Sequence, residues 1–157
     1  MFGFFKKKDT PFRVAAYVDG KCIPITDVVD DVFSKKMMGD GFAMIPENDV
    51  IVSPIDGEIV TIFPTKHAIG LQSANGVEII LHIGIDTVNL NGEGFQVLVK
   101  DKAKVKIGQP IVKIDKDFIK EKGYDLTTML VFTNGYDKEI NLSCFNEDVK
   151  AGQVLIQ

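Results

Sequence analysis

The feature of this 157-residue chain that most limits its fold is its punctuation. Short apolar or alternating runs are broken by Gly, Pro, Asn or Asp about every ten residues, the pattern of strands joined by tight turns. Runs at 58–63, 77–85, 95–99, 110–114, 129–132 and 154–156 read as strands. No stretch sustains helical periodicity; short helical turns are expected at 32–37 and at 117–122, the second stopped by Gly123. The pattern predicts an all-β protein, an antiparallel β-sandwich or a barrel-like pair of sheets.

Two internal echoes sharpen this. Val18-Asp19-Gly20-Lys21-Cys22-Ile23-Pro24-Ile25 resembles Ile55-Asp56-Gly57-Glu58-Ile59-Val60-Thr61-Ile62, each an Asp-Gly turn followed by alternating apolar positions. Val105-Lys106-Ile107-Gly108-Gln109-Pro110-Ile111-Val112 resembles Val149-Lys150-Ala151-Gly152-Gln153-Val154-Leu155-Ile156. Two echoes in the same order point to a duplicated β unit.

Length fits one domain with a sizeable core, taken as 13–157, behind a flexible segment at 1–12. The start, MFGFFKKK, is too short for a secretory signal. It reads as a frayed end, with a weak membrane-surface foot as the alternative: Phe2, Phe4 and Phe5 at the interface, Lys6, Lys7 and Lys8 near lipid phosphates. No apolar run approaches the ~20 residues that cross a bilayer. A formal net charge of −4 argues against nucleic acid as a partner. Arg13 is the single arginine, so no guanidinium cluster can grip phosphate. Cys22 and Cys144 form neither a CxxC pair nor a metal-finger spacing and read as buried or half-buried thiols of a reducing cytosol.

The chain's two histidines carry the most information. Ser73-Ala74-Asn75-Gly76 has the Asn-Gly signature of a hairpin loop. With Gln72 and Val77 closing that loop, His67 falls opposite His82, Cβ atoms roughly 5 Å apart. Ile79, Leu81, Ile83 and Ile85 alternate away from His82 and suit the core, so the histidines are expected to point outward. Phe63, Thr65, Ile69, Ile80, Gly84 and Asp86 share their face by parity, and Gly84 would leave room for a partner. A neutral imidazole is a nucleophile near neutral pH, and a second one can donate to a transferred phosphoryl group. Thr65 can hold the second ring in the needed tautomer. From the residues alone, phosphoryl transfer, metal binding and an incidental pairing all stay open.

The stretches 30–44 (DDVFSKKMMGDGFAM), 53–63 (SPIDGEIVTIF), 65–68 (TKHA), 76–94 (GVEIILHIGIDTVNLNGEG) and 105–108 carry a resemblance. The chain resembles the glucose-type enzyme IIA component of the bacterial phosphoenolpyruvate:sugar phosphotransferase system, from about Arg13 to the C-terminus. The LHIGIDTV string around His82 is the most specific part.

The resemblance implies an antiparallel β-sandwich with a duplicated hybrid motif. It implies a cytoplasmic phosphocarrier, transiently at the membrane through its permease. His82 would accept phosphate from the carrier HPr and pass it to a cysteine of the IIB domain of a glucose-type permease, so neither cysteine here is implied in catalysis. His67 would stabilise the phosphoryl group and Thr65 would orient His67. Asp30 and Asp86 match acids beside the site. Phe33, Met37, Met38, Phe63, Ile69, Ile80 and Val88 match an apolar ring that receives partners, among them regulatory targets such as other permeases or glycerol kinase. No cofactor is required; a zinc ion shared between His67, His82 and a partner is known in the family. The ring is richer in Met and Ile than in many relatives, and Lys66 intervenes between Thr65 and His67. Beginning at Met1 and being domain-sized, the chain is read as a free-standing IIA protein. A catalytic zinc hydrolase on a related scaffold is the alternative, but there is no third histidine, and Asp86 would have to complete the site. A purely regulatory adaptor is a third reading.

Overall fold

The Asp-Gly turns launch the strands that organise the molecule, and the computed structural model describes residues 11–157. The membrane-foot expectation and most of the segment 1–12 lie outside these residues. Phe12, placed in that segment, packs its ring on Phe132 and Tyr136.

The strands are β1 (Val14–Ala15), β2 (Gly20–Pro24), β3 (Gly41–Pro46), β4 (Val50–Val52), β5 (Gly57–Ile62), β6 (Ala68–Ser73), β7 (Glu78–Ile83), β8 (Phe95–Val97), β9 (Lys104–Val105), β10 (Pro110–Ile114), β11 (Thr128–Asn134), β12 (Asp148–Val149) and β13 (Val154–Ile156). Helix is confined to α1 (Asp31–Ser34), α2 (Lys116–Glu121) and 3-10 turns at Ile25–Asp27 and Thr87–Leu90. Every recorded strand pair is antiparallel. The fold is the antiparallel β-sandwich expected; α1 and α2 overlap the two helical turns expected at 32–37 and 117–122, while the 3-10 turns at Ile25–Asp27 and Thr87–Leu90 lie outside those expectations.

The duplication is visible in the largest sheet, ordered β12-β2-β3-β11-β7-β6-β5-β9. Read from either end it repeats itself: β12 answers β9, β2 answers β5, β3 answers β6 and β11 answers β7. Outside it, β1 pairs with β13 and β4 with β10, again as counterparts. Hydrogen bonds repeat as well. Asp19 Oδ1 accepts from Ala151 N at 2.8 Å, and Asp56 Oδ1 accepts from Ile107 N at 2.9 Å. Gln153 Oε1 accepts from Lys150 N at 3.3 Å, and Gln109 Oε1 accepts from Lys106 N at 3.2 Å. Each Asp-Gly carboxylate thus satisfies a backbone donor of its partner turn, which would otherwise lack a bond. The two copies also interlock: Ala15 N donates to Pro54 O, and Val52 N to Tyr17 O, each at 2.8 Å.

Two apolar clusters follow from strand alternation. The main core takes Tyr17, Phe42, Met44, Ile51, Ile59, Leu71, Ile79, Leu81, Ile83 and Ile111, all fully buried; complete burial of one such side chain stabilises by about 1.5–3 kcal/mol. A smaller cluster forms on the other face of the large sheet. There Ile23, Ala43, Met129 and Val131 meet Ile25, Val28 and Phe33 from the β2–β3 connection, together with Ile85. This second cluster puts apolar side chains beside His82.

Candidate functional site: a pair of imidazoles at the edge of the second cluster

His82 stands on β7 in a cross-strand row. It faces Ala68 on β6 and Met129 on β11, Met129 faces Ala43 on β3, and Ala43 faces Ile23 on β2. Leu81 and Ile83 on either side turn into the main core, so His82 projects from the opposite face, half-buried.

The hairpin register differs from the sequence expectation. Gln72 pairs with Glu78 rather than Val77, and His82 faces Ala68 rather than His67. The cause is Ser73. Its N–H donates to Val77 O at 2.9 Å and its hydroxyl accepts from Val77 N at 3.1 Å, which extends the ladder by a step. The loop is then three residues long with Gly76 left-handed at φ +88°. A one-residue shift turns every side chain of the strand over. Ile69, expected in the apolar ring, therefore faces Leu81 and is 0% exposed in the main core. It is withdrawn from the partner surface.

By the observed register His67 belongs beside Ile83, whose N–H donates to His67 O at 2.7 Å. Yet the His67 and His82 ring centroids lie 4.8 Å apart, edge to face. The local backbone resolves the conflict. Phe63, Pro64, Thr65 and Lys66 make a turn closed by Lys66 N donating to Phe63 O at 2.7 Å, with Pro64 in the position that suits its fixed φ. Lys66 is left-handed at φ +61°, and β6 begins only at Ala68. His67 lies in this bend, outside regular alternation, and its ring joins His82 on the outer face. It is also more enclosed than expected: only 5% exposed, rather than open to solvent.

Both rings are anchored through Nδ1. His82 Nδ1 is 2.9 Å from Gly84 O. A carbonyl can only accept, so this bond puts the proton on Nδ1 and leaves the Nε2 lone pair free. His67 Nδ1 lies 2.7 Å from Thr65 Oγ1; when the hydroxyl donates, His67 carries its proton on Nε2. Among the described residues, no side-chain nitrogen or oxygen is both buried and unpartnered. Burial, followed by repulsion from His82, pushes the His67 pKa down to about 4. Burial also lowers that of His82, opposed by the Gly84 bond and then by the charges of Asp30 and Asp86. Desolvation prevails, so both rings are neutral near pH 7.

Of the remaining predicted residues, Phe33, Phe63, Asp30 and Asp86 lie beside this pair. Phe33 rests on His82 with centroids 4.9 Å apart, and Phe63 meets His67 edge-on at 5.8 Å. Asp30 caps α1, its carboxylate accepting from Val32 N at 2.9 Å. Asp86 is exposed and left-handed at φ +61°, at the head of the Thr87–Leu90 turn. Met37 is 70% exposed, Met38 and Val88 are exposed, and Ile80 is half-buried on the histidine side of β7.

Gly84 does something other than leave room. A Cβ there would come 2.5 Å from Thr87 Cγ2 in closed packing, and φ is +79°. Its service to the site is its carbonyl. Two exposed apolar residues on the same connection escaped the sequence reading: Val29, 79% exposed, and Val32. The VVDDV run offered a signal, with valines flanking an acid that caps a helix. Among the described residues, no three His, Cys, Asp or Glu side chains group to hold a metal; the imidazole pair offers two donors.

The class defined by the geometry is an antiparallel β-sandwich that presents two anchored, neutral imidazoles side by side, with aromatic rings packed on both. The family model for the phosphoenolpyruvate-dependent sugar phosphotransferase system, EIIA 1, matches residues 12–138, and the chain belongs to that family. The glucoside-specific EIICBA component of the same kind of system from Staphylococcus carnosus (strain TM300) is 45% identical over 129 residues. That match covers 82% of this chain and 19% of the relative, so the chain spans about a fifth of that relative's length. Among solved structures, the glucose permease IIA from Mycoplasma capricolum superposes with a TM-score of 0.81 at 40% identity, over 92% of this chain and 93% of that one. Family and fold together make this a IIA-type component of a sugar phosphotransferase system. Among the described residues, no helix is long and apolar enough to cross a membrane.

Proposed function

We propose that the chain carries a phosphoryl group on Nε2 of His82, taking it from the phosphohistidine of HPr and giving it to a cysteine of a sugar-specific IIB domain. The observation that supports this most is the bond from His82 Nδ1–H to Gly84 O, because it makes Nε2 a nucleophile without any base. In the accepting step, the Nε2 lone pair attacks phosphorus as the bond to the donor imidazole breaks, and the electron pair leaves on that imidazole. His67, protonated on Nε2 through Thr65, donates to a phosphoryl oxygen and spreads its charge. Asp30 and Asp86 repel the phosphoryl group and favour its onward transfer. Phe33, Met37, Met38, Phe63, Ile80 and Val88 offer the apolar frame that excludes water while partners dock; flexible methionines suit a surface that receives more than one partner. Work of this kind belongs in the cytoplasm, with brief visits to the membrane through the permease. Regulatory docking to other permeases or to glycerol kinase would use the same frame, and phosphate on His82 would weaken it.

The relay needs no cofactor. The two Nε2 atoms would also suit two of the four positions of a zinc ion, with His67 first shifting its proton to Nδ1 to donate to Thr65 Oγ1 and the other ligands coming from a docked partner.

The test is incubation with phosphoenolpyruvate, enzyme I and HPr, followed by assay for acid-labile, base-stable phosphate. His82→Ala abolishes labelling. His67→Gln accepts phosphate but passes it on poorly. Equal loss of acceptance in both variants would contradict the separate roles.

A further inference from the structure

Cys22 on β2 and Cys144 in the connection between β11 and β12 are far apart in sequence, yet the fold sets them side by side. Cys22 N donates to Glu147 O at 3.0 Å, Asn146 N donates to Cys22 O at 2.6 Å, and Glu147 N donates to Cys144 O at 2.9 Å. These bonds lay the turn at 144–147 along β2. The Cys22 side chain is fully buried, and half-buried Cys144 packs against the same core. Both thiols are free, and Cys144 lies near enough to Cys22 to push its pKa up.

We propose that Cys22 and Cys144 form a two-thiol oxidation site, closed by a peroxide into a reversible disulfide within one chain. Cys144 is the thiol that solvent reaches. Its thiolate attacks one peroxide oxygen, the O–O bond breaks, and the sulfenic acid forms as the other oxygen leaves and takes a proton to become water. The Cys22 sulfur then attacks the Cys144 sulfur and the S–O bond breaks. That oxygen departs as water with the proton of Cys22. Two thiols are oxidised, and one hydrogen peroxide is reduced to two waters. Burial and the neighbouring Cys144 push the Cys22 thiol up, so it stays protonated in the resting protein and takes the resolving part. The closeness of the 144–147 turn to β2 lets the second step compete with further oxidation. Disulfides in reducing compartments are typically transient and redox-sensing. The product would tie the connection at 135–147 to β2. This site is separate from the histidine face and stands whether or not His82 carries phosphate.

The test treats the full chain with hydrogen peroxide and follows intact mass, free thiols, non-reducing electrophoresis and peptide maps. The expected result is loss of both thiols and of two hydrogen masses, a peptide cross-linked between 22 and 144, no covalent dimer, and full return on reduction. Proteolysis within 135–147 should slow by roughly tenfold in the oxidised form, since opening of that segment is restrained. Cys144→Ser, a change at a half-buried position, should give no cross-link and leave Cys22 reduced. Overturning results are sulfinic or sulfonic acid on Cys144 with Cys22 still reduced, a disulfide between chains, or unchanged thiols after peroxide. A chain that fails to accept phosphate but forms the cross-link would reject the proposed relay alone.

Discussion

The two halves of the duplicated fold differ most where they should be alike, in the connection that follows each Asp-Gly strand. From β5 to β6 the chain needs only residues 63–67. From β2 to β3, its counterpart, it takes residues 25–40, including a 3-10 turn and α1. The short connection is a strained bend that turns His67 toward His82. The long one folds back over the sheet, buries Ile25, Val28 and Phe33 against Ile23, Ala43, Met129 and Val131, and exposes Val29, Met37 and Met38. A repeated framework thus acquires its candidate site by unequal loops: one copy supplies the two imidazoles, and the other supplies the apolar cover beside them.

The comparison can be broken from either side. Phe33→Ala should cost most, about 3–4 kcal/mol by urea unfolding, because Phe33 is 4% exposed and anchors the long connection. A loss well under 1 kcal/mol would mean the cover holds without its anchor. The short connection is tested by pH. The His67 pKa of about 4 lies below the ordinary 6.5, so the unfolded chain binds the proton first as pH falls. Stability should decline through that window and level off near its lower end, by up to about 3 kcal/mol. His67→Gln should make the decline shallower, leaving the part that buried His82 contributes; an equal decline in the variant would place its origin elsewhere. Third is Lys66→Val. A β-branched residue fits the left-handed bend badly, and about 1–2 kcal/mol should be lost together with phosphoryl passage. Lys66→Gly, which tolerates φ +61°, should retain passage. The smallest effect belongs to Asp30→Ala, which removes the cap of α1 for about 1 kcal/mol in thermal unfolding.

Much of this architecture was legible in the amino acids because turn chemistry and alternation are local. The runs at 110–114 and 154–156 became β10 and β13 with the same limits, and the paired Asp-Gly and Gly-Gln turns gave the duplication. The histidine pair was legible too, but for a reason only half right. Moving the loop by one step cancelled the predicted opposition of His67 and His82, and sent Ile69 inside. The bend at Lys66 restored the pairing by a route that parity cannot describe. Gly84 was misread because a glycine's backbone carbonyl leaves no mark in its side-chain chemistry. The approach of the Cys144 turn to Cys22 and the meeting of the long connection with the histidine face depend on closure of the whole sandwich, which no short window of sequence contains.

One pairing at the margin has a further consequence. Val14 on β1 lies against Ile156 on β13, so the two ends of the described domain emerge side by side. A unit held this way can dangle from a larger polypeptide, as a bead hangs from a single knot. Tethering or release at that spot leaves the imidazoles where they are, and the same working surface can serve whether it diffuses alone or swings from a neighbour.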